Sequence, residues 1–233
     1  RSVDGGQTWN LIPSTAGFAY VTDIKVRNEN GTSVIYAGVV SGKYKGVDHL
    51  SSPSDGLYRS SDNGQNWTQV LPDIPGTTTP YAPSDIELSA DGRIFVGTGP
   101  NTNLQGGAVI LHSDTGTQGT WTAYTQYNTL IQASTSYPLP GRVMLAAAPS
   151  NSNVIYAIIA NGWNNGFNYY QGGYIIRTRN KGASWSQRNM SPDYDGRNWA
   201  NLAWHAFTIG VDPNNMNTLW VGGLDLHRST NGG

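Results

Sequence analysis

The 233-residue chain contains no cysteine, which excludes disulfides, cysteine-ligated zinc, iron–sulfur clusters and thiol catalysis. Charge is also scarce: 12% of the residues are Asp, Glu, Lys or Arg, about half the share of a typical soluble domain. The 14 basic residues are scattered singly against 15 acids, for a net charge of −1. That pattern offers no electrostatic footprint for a phosphate backbone, and no nucleic-acid partner is expected. No run of about 20 apolar residues occurs, so membrane insertion is not expected. Helical periodicity is missing too. What is plentiful is Gly (29), Tyr (13) and Trp (8), together with Ser, Thr and Asn, a composition that suits an all-β protein at a cell surface or outside the cell.

A short motif recurs along the whole chain. Arg1-Ser2-Val3-Asp4-Gly5-Gly6-Gln7-Thr8-Trp9 returns as Arg59-Ser60-Ser61-Asp62-Asn63-Gly64-Gln65-Asn66-Trp67. It appears again as His112-Ser113-Asp114-Thr115-Gly116 with Trp121, and as Arg177-Thr178-Arg179-Asn180-Lys181-Gly182-Ala183-Ser184-Trp185. A fifth copy begins at Arg228-Ser229-Thr230-Asn231-Gly232-Gly233. The Asp or Asn positions 4, 62, 114, 180 and 231 are 58, 52, 66 and 51 residues apart, and periods of this size mark stacked repeats. The chain therefore reads as one unit over 1–233, with repeats bounded at 1–9, 59–67, 111–121, 177–185 and 228–233.

Each period holds short β-type runs separated by Gly, Pro, Asn and Asp. They fall at 22–26, 34–40, 56–60 and 67–71; at 84–88, 93–97, 108–112 and 120–124; at 143–147, 154–159, 174–178 and 184–188; and at 207–211, 218–222 and 225–229. Four strands per period predict a β-propeller of four-stranded antiparallel blades. Residues 1–6 and 228–233 repeat the same turn, and a closed ring has room for one, so the expectation is an arc of about four blades of a larger propeller, with further blades of the same parent chain as its neighbours.

The pattern Ser-x-Asp-x-Gly-x-x-Trp resembles the Asp-box, or BNR, repeat of sortilin-type receptors, sialidases and xyloglucan-cleaving glycoside hydrolases. Residues 207–233 are most similar to secreted bacterial proteins carrying this repeat, which often end in a type 9 secretion sorting tail. The resemblance implies a bacterial, secreted or cell-surface location. Physically, the box Asp accepts backbone N–H groups left unpaired by the turn. The following Gly supplies a positive φ, and the Trp buries against the neighbouring blade. Asp4, Asp62, Asp114, Asn180 and Asn231, with Trp9, Trp67, Trp121 and Trp185, are therefore expected to be structural.

Antiparallel strands send alternate connections to opposite faces of the disc. The long connections (41–55, 98–107 and 160–173; 14–21, 72–83, 125–142 and 189–206) share one face, where binding is expected. They carry many aromatics among Asn, Gln, Gly and Ser. Trp163, Phe167, Tyr169, Tyr170, Trp199 and Trp204 are the candidate ligand-binding residues, since flat aromatic faces beside amides suit a glycan and equally a surface protein.

Chemistry is harder to find. Glycoside hydrolysis needs two facing carboxyl groups. Asp23 and Asp85, at equivalent positions in Thr22-Asp23-Ile24 and Ser84-Asp85-Ile86, are the candidate pair, although their repetition favours a structural hydrogen bond. Other acids near the loop face are Asp48, Asp55, Asp73, Asp193 and Asp195. The arginine triad and Arg-Ile-Pro motif implied by a sialidase resemblance are missing, as are the Gly-rich acid motifs implied by a xyloglucanase. Asp193, Asp195 and Asn198 offer oxygen ligands at i, i+2 and i+5 but lack the third early acid and closing Glu of a calcium loop, so neither metal nor cofactor is expected. The leading reading is a non-catalytic propeller that binds a glycan or surface protein. The alternatives are a glycoside hydrolase completed by blades outside this segment, and a structural spacer of a large adhesin.

Overall fold

A computed structural model describes residues 1–189 and 199–233. Three four-stranded antiparallel sheets follow one another, then a three-stranded one. The first sheet is β1 (Tyr20–Glu29), β2 (Thr32–Val40), β5 (Gly56–Ser60) and β6 (Thr68–Gln69), with a small hairpin of β3 (Gly42–Tyr44) and β4 (Val47–His49) between its middle strands. The second is β7 (Ala82–Leu88), β8 (Ile94–Gly99), β9 (Ile110–Ser113) and β10 (Thr122–Tyr124). A helix, α1 (Gln126–Gln132), precedes the third, which is β11 (Leu139–Ala147), β12 (Ile155–Asn164), β13 (Asn168–Thr178) and β14 (Ser186–Gln187). The fourth is β15 (Thr208–Val211), β16 (Leu219–Gly222) and β17 (Leu226–Ser229). Each sheet is one blade.

The apolar core lies between blades. In β8, Ile94 and Val96 enter the cluster shared with the first blade, while Phe95 between them enters the cluster shared with the third. In β12, Ile155, Ala157 and Ile159 face the second blade, and Tyr156, Ile158 and Ala160 face the fourth. Strands with both faces buried need continuous apolar runs rather than alternation, and that is how 94–96 and 154–160 read. Each fully buried Ile or Leu contributes roughly 1.5–3 kcal/mol, so the seams between sheets carry most of the stabilisation.

Two departures from the sequence expectation follow from local pattern. Helix α1 was not anticipated; Tyr127 and Ile131, one turn apart, bury against the cluster between the second and third blades. Residues 160–173 are not a loop. They extend β12 and β13 into a hairpin whose pairing runs to Asn164↔Asn168.

The recurring turns share one hydrogen bond in four places, where the Ser or Thr hydroxyl accepts the Gly N–H four residues on. Asp62 Oδ1 accepts the Asn66 N–H at 2.9 Å and Oδ2 accepts the Asn66 amide at 2.7 Å, while Ser60 Oγ accepts the Gly64 N–H at 2.9 Å. Asp4 does the same with Thr8, whereas Asn180 Oδ1 accepts the Ser184 N–H at 2.9 Å and its Nδ2 donates to the Ser184 hydroxyl at 2.8 Å. Asn231 accepts the Ser229 hydroxyl at 2.8 Å. The Asn66 hydrogen bonds hold the Asp62 carboxyl down at about 2, and the Thr8 bonds lower that of Asp4 further. Asp114 departs from the series. Its turn is one residue tighter, with Ser113 Oγ accepting from Gly116, and the carboxylate instead forks onto Arg93 at 2.6 and 2.8 Å. Trp67, Trp121 and Trp185 are partly buried against the core clusters, but Trp9 is 75% exposed, its indole N–H donating to the Gly6 carbonyl of its own turn.

A cross-strand pair recurs beside four of the five turns. Tyr36 faces Arg59, Phe95 faces His112, Tyr156 faces Arg177 and Trp220 faces Arg228. The guanidinium carbons of Arg177 and Arg228 each lie 5.7 Å from the partner ring centroid, in range for a cation–π contact. The glycine of the next blade's turn presses onto this pair. A Cβ at Gly116 would lie 2.4 Å from Tyr36 Oη, and one at Gly182 would lie 2.9 Å from Phe95. Both glycines also have positive φ, +68° and +88°.

Gly182→Ala is therefore expected to cost about 2–4 kcal/mol, combining the left-handed backbone penalty with displacement of the Phe95 ring. Gly119, with φ +79° and open space around it, is the control, and Gly119→Ala should cost about 1 kcal/mol. Urea unfolding of the two variants measures the difference, and equal losses would show that the contact with Phe95 is not tight.

Candidate functional site

The inner strands β1, β7 and β11 each carry a register shift near the long-loop end, between Val21 and Asp23, Pro83 and Asp85, and Pro140 and Val143. A bulge leaves one residue outside the ladder and re-aims its neighbours. Thr22 thereby donates to the Pro83 carbonyl at 3.0 Å, and Asp23 Oδ2 accepts the Ile86 N–H at 3.0 Å. The next seam repeats the arrangement. Ser84 donates to the Val143 carbonyl at 2.7 Å, and Asp85 Oδ2 accepts the Leu145 N–H at 2.6 Å. Asp23 and Asp85 thus each tie one blade to the next. Lys25 sits between Asp23 and Glu87, at 3.7 and 3.5 Å.

Burial dominates the electrostatics of this cluster. It pushes the Asp85 carboxyl up to about 7, with the Leu145 hydrogen bond opposing and Asp23 and Glu87 adding to the rise. Burial raises Glu87 as well. For Lys25 burial pulls the other way, but Glu87, Asp23 and Asp85 outweigh it and the ammonium is held above its ordinary value.

Above the inner strands, on the long-loop face, lies a groove of about 390 Å³ lined by Thr22, Ser41, Ser84, Arg142, Tyr170 and Trp204 among others. Its rim is aromatic. The β12–β13 hairpin sets Trp163 opposite Tyr169, with ring centroids 6.3 Å apart, and Tyr169 meets Trp204 edge-on at 5.9 Å. Trp163 and Trp204 are 37% and 42% exposed, so the row presents ring surface to solvent. Phe167 stands apart at the hairpin tip, 84% exposed.

The two other candidate aromatics are buried. Tyr170 follows Tyr169 in a strand and so points to the opposite side, where it is 8% exposed in the cluster between the third and fourth blades. Trp199 is 4% exposed and stacks on Phe207 at 5.6 Å. Gly172 makes room for it; a Cβ there would lie 2.7 Å from the indole. Tyr81 and Tyr127, also loop aromatics, are buried. Asp55 is buried too, accepting from the Ser41 backbone and hydroxyl at 2.6 Å. Asp193, Asp195 and Asn198 lie outside the described residues. Among the described residues no group of three or more His, Asp or Glu is arranged for a metal, and no helix is long and apolar enough to cross a membrane.

Arg142 was overlooked in the sequence. It lies within the third inner-strand bulge, two residues before Met144, which takes the place that Asp23 and Asp85 hold in the first two blades. Its Nε donates to the Ala203 carbonyl at 2.7 Å and Nη2 to that of Phe207 at 3.4 Å, so an arginine makes the third tie. The loss of the repeated acid, with Met144 in its place, and a lone arginine two residues earlier were the available signal.

Because the folded state raises the Asp85 pKa, protonation favours folding. The stabilisation is full below about pH 4 and is lost as pH rises through about 7. At 1.36 kcal/mol per pH unit the displacement from 3.8 to about 7 is on the order of 4 kcal/mol. Asp85→Asn keeps an oxygen acceptor for Leu145 without the charge. It should be more stable than the parent at pH 8, with the gain vanishing by pH 4, as thermal melts across that range will show.

With this geometry in place, relatives are informative. No family model matches the chain. A xyloglucanase of a Paenibacillus species is 25% identical over 211 residues, covering 80% of this chain and 18% of that protein. The chain thus spans less than a fifth of the length of the curated relative it matches. Among solved structures, an ancestral GH74 enzyme aligns with a TM-score of 0.57 at 22% identity, over 97% of this chain and 24% of its own. The GH74 xyloglucanase of Xanthomonas campestris aligns with a TM-score of 0.54 at 18% identity, over 94% and 31%. The Niastella koreensis GH74 enzyme gives 0.53 at 20%, over 88% and 28%. At these identities the likeness concerns architecture, and together with the sheet order it establishes that the chain is built of β-propeller blades.

Proposed function

We propose that the long-loop face binds a polysaccharide, that the described residues form a recognition surface rather than a catalytic centre, and that the protein works outside the cell. The observation that carries this reading is the half-exposed row Trp163, Tyr169 and Trp204 on the rim of the groove. Indole and phenol faces stack on the C–H faces of pyranose rings, and such rigid surfaces bind at low entropic cost. The similarity to a xyloglucanase supports a polysaccharide over a protein partner. The reading includes the recurring Ser-x-Asp-x-Gly turn as an Asp-box repeat.

The acids support a structural role. Asp23 and Asp85 are each engaged by a backbone N–H of the next blade. The second reading is a glycoside hydrolase whose catalytic set is completed outside this chain. It is favoured by the same xyloglucanase similarity and by the raised Asp85 carboxyl, suited to a proton donor.

Affinity electrophoresis through gels containing xyloglucan or other polysaccharides separates these readings. The parent chain is expected to be retarded by at least one polysaccharide. Trp163→Ala and Trp204→Ala should each weaken retention about tenfold, in the range of a lost hot-spot residue, with an unchanged melting temperature. Retention indifferent to both substitutions would overturn the reading. Release of reducing ends that Asp85→Asn abolishes would establish the hydrolase instead.

A further inference from the structure

Of the strand arginines, Arg142, Arg177 and Arg228 have no carboxylate partner among the described residues, and of these only Arg142 lines the long-loop groove. Arg27 and Arg59 both pair with Glu29, at 2.6 and 2.5 Å, and Arg93 pairs with Asp114 at 2.6 Å. Arg142 has no carboxylate within 4.0 Å among the described residues, although it is partly buried and lines the groove. Buried cations ordinarily have a counter-charge. The acid whose charge acts on it is Asp85, and that carboxyl is bonded to Leu145 and only partly ionised near neutrality. Burial accordingly pulls the guanidinium below its ordinary value.

The guanidinium is also held in a fixed plane. The Ala203 and Phe207 carbonyls take Nε and Nη2, and the Phe207 ring lies under it with its centroid 5.7 Å from Cζ. Nη1 has no partner among the described residues. A planar donor with a free edge, oriented before any ligand arrives, matches a carboxylate better than a neutral hydroxyl. Trp204 lines the same groove, so one sugar unit can stack on the indole and direct its C6 substituent to the guanidinium.

We propose that Arg142 forms a carboxylate subsite in the groove, so that the polysaccharide taken by this face is acidic and carries uronate units. The inference rests on the polysaccharide reading above and narrows it to one chemical class.

Calorimetric titration of the chain with tetragalacturonate, and with the same tetramer after reduction of its carboxyl groups to alcohols, tests it. Tetragalacturonate should bind at least tenfold more tightly, and Arg142→Gln should bring its affinity down to that of the reduced tetramer. Arg142→Lys, which keeps the charge but not the planar fork, should lose most of the preference if the glutamine variant fails to fold. Equal affinity of the parent chain for the two tetramers overturns the subsite. Acetate at matched carboxylate concentration abolishing the preference would also overturn it, since the site would then take a free anion and not a sugar. Tight binding of neutral polysaccharides without any acid preference would leave the aromatic surface standing. Failure of every polysaccharide, neutral or acidic, would remove the broader reading as well.

Discussion

Everything in this fold depends on the contact between consecutive blades. The sheets are thin, and apart from the small cluster of Ala37, Val39 and Tyr58 with Phe18 and Trp67 in the first blade, the apolar clusters are shared between blades. Val34, Tyr36 and Leu57 of the first blade share a cluster with Ile86, Ile94 and Val96 of the second, and the same holds at the later seams. The turn glycines set how closely the blades approach, because Gly116 rests on Tyr36 and Gly182 on Phe95 and His112. Polar ties reinforce each seam at both ends. Arg27 reaches the Gly92 and Asp114 carbonyls at the turn end, Lys181 pairs with Asp91, and the bulged inner strands supply Thr22, Asp23, Ser84, Asp85 and Arg142 at the other.

This constraint limits where function can reside. A carboxylate that accepts the N–H of a neighbouring blade has a structural task, and an acid repeated at each turn has the same task several times. Ligand contact falls to residues that the seams leave over. On the long-loop face these are the rim aromatics of the extended hairpin and the free edge of Arg142. They come from the third blade and the segment that follows it, where the repeat departs most from its own pattern.

Much of the architecture was legible because burial on both faces leaves a plain trace. The runs expected at 34–40, 56–60 and 93–97 form strands within two residues of the expectation. The outer strands were overestimated, since a strand with one neighbour pairs only where the turn presents it, as at Thr68–Gln69. The hairpin at 160–173 was hidden by its Gly and Asn content. Only the alternation of Trp163 with its neighbours and the pairing with Tyr169 reveal it. Site residues were less legible than strands. Aromatic identity does not say which side of a strand a ring occupies, and of the adjacent Tyr169 and Tyr170 the first joins the exposed row while the second packs into the core beneath the groove. Trp199 has the same chemistry as Trp204, yet its place beside Gly172 and Phe207 makes it core. Asp114 groups with its counterparts by motif although Ser113 and Asp114 are adjacent where Ser60 and Asp62 are separated by one residue, and that missing residue is what shortens its turn.

Hydrogen exchange with and without a bound polysaccharide tests the central claim most directly, because it reads the loop face and the seams in one experiment. The account predicts added protection in the hairpin at 160–170 and in 199–207, with the turns at 60–67 and 178–185 unchanged. Protection confined to those turns, with none in the hairpin, would contradict it.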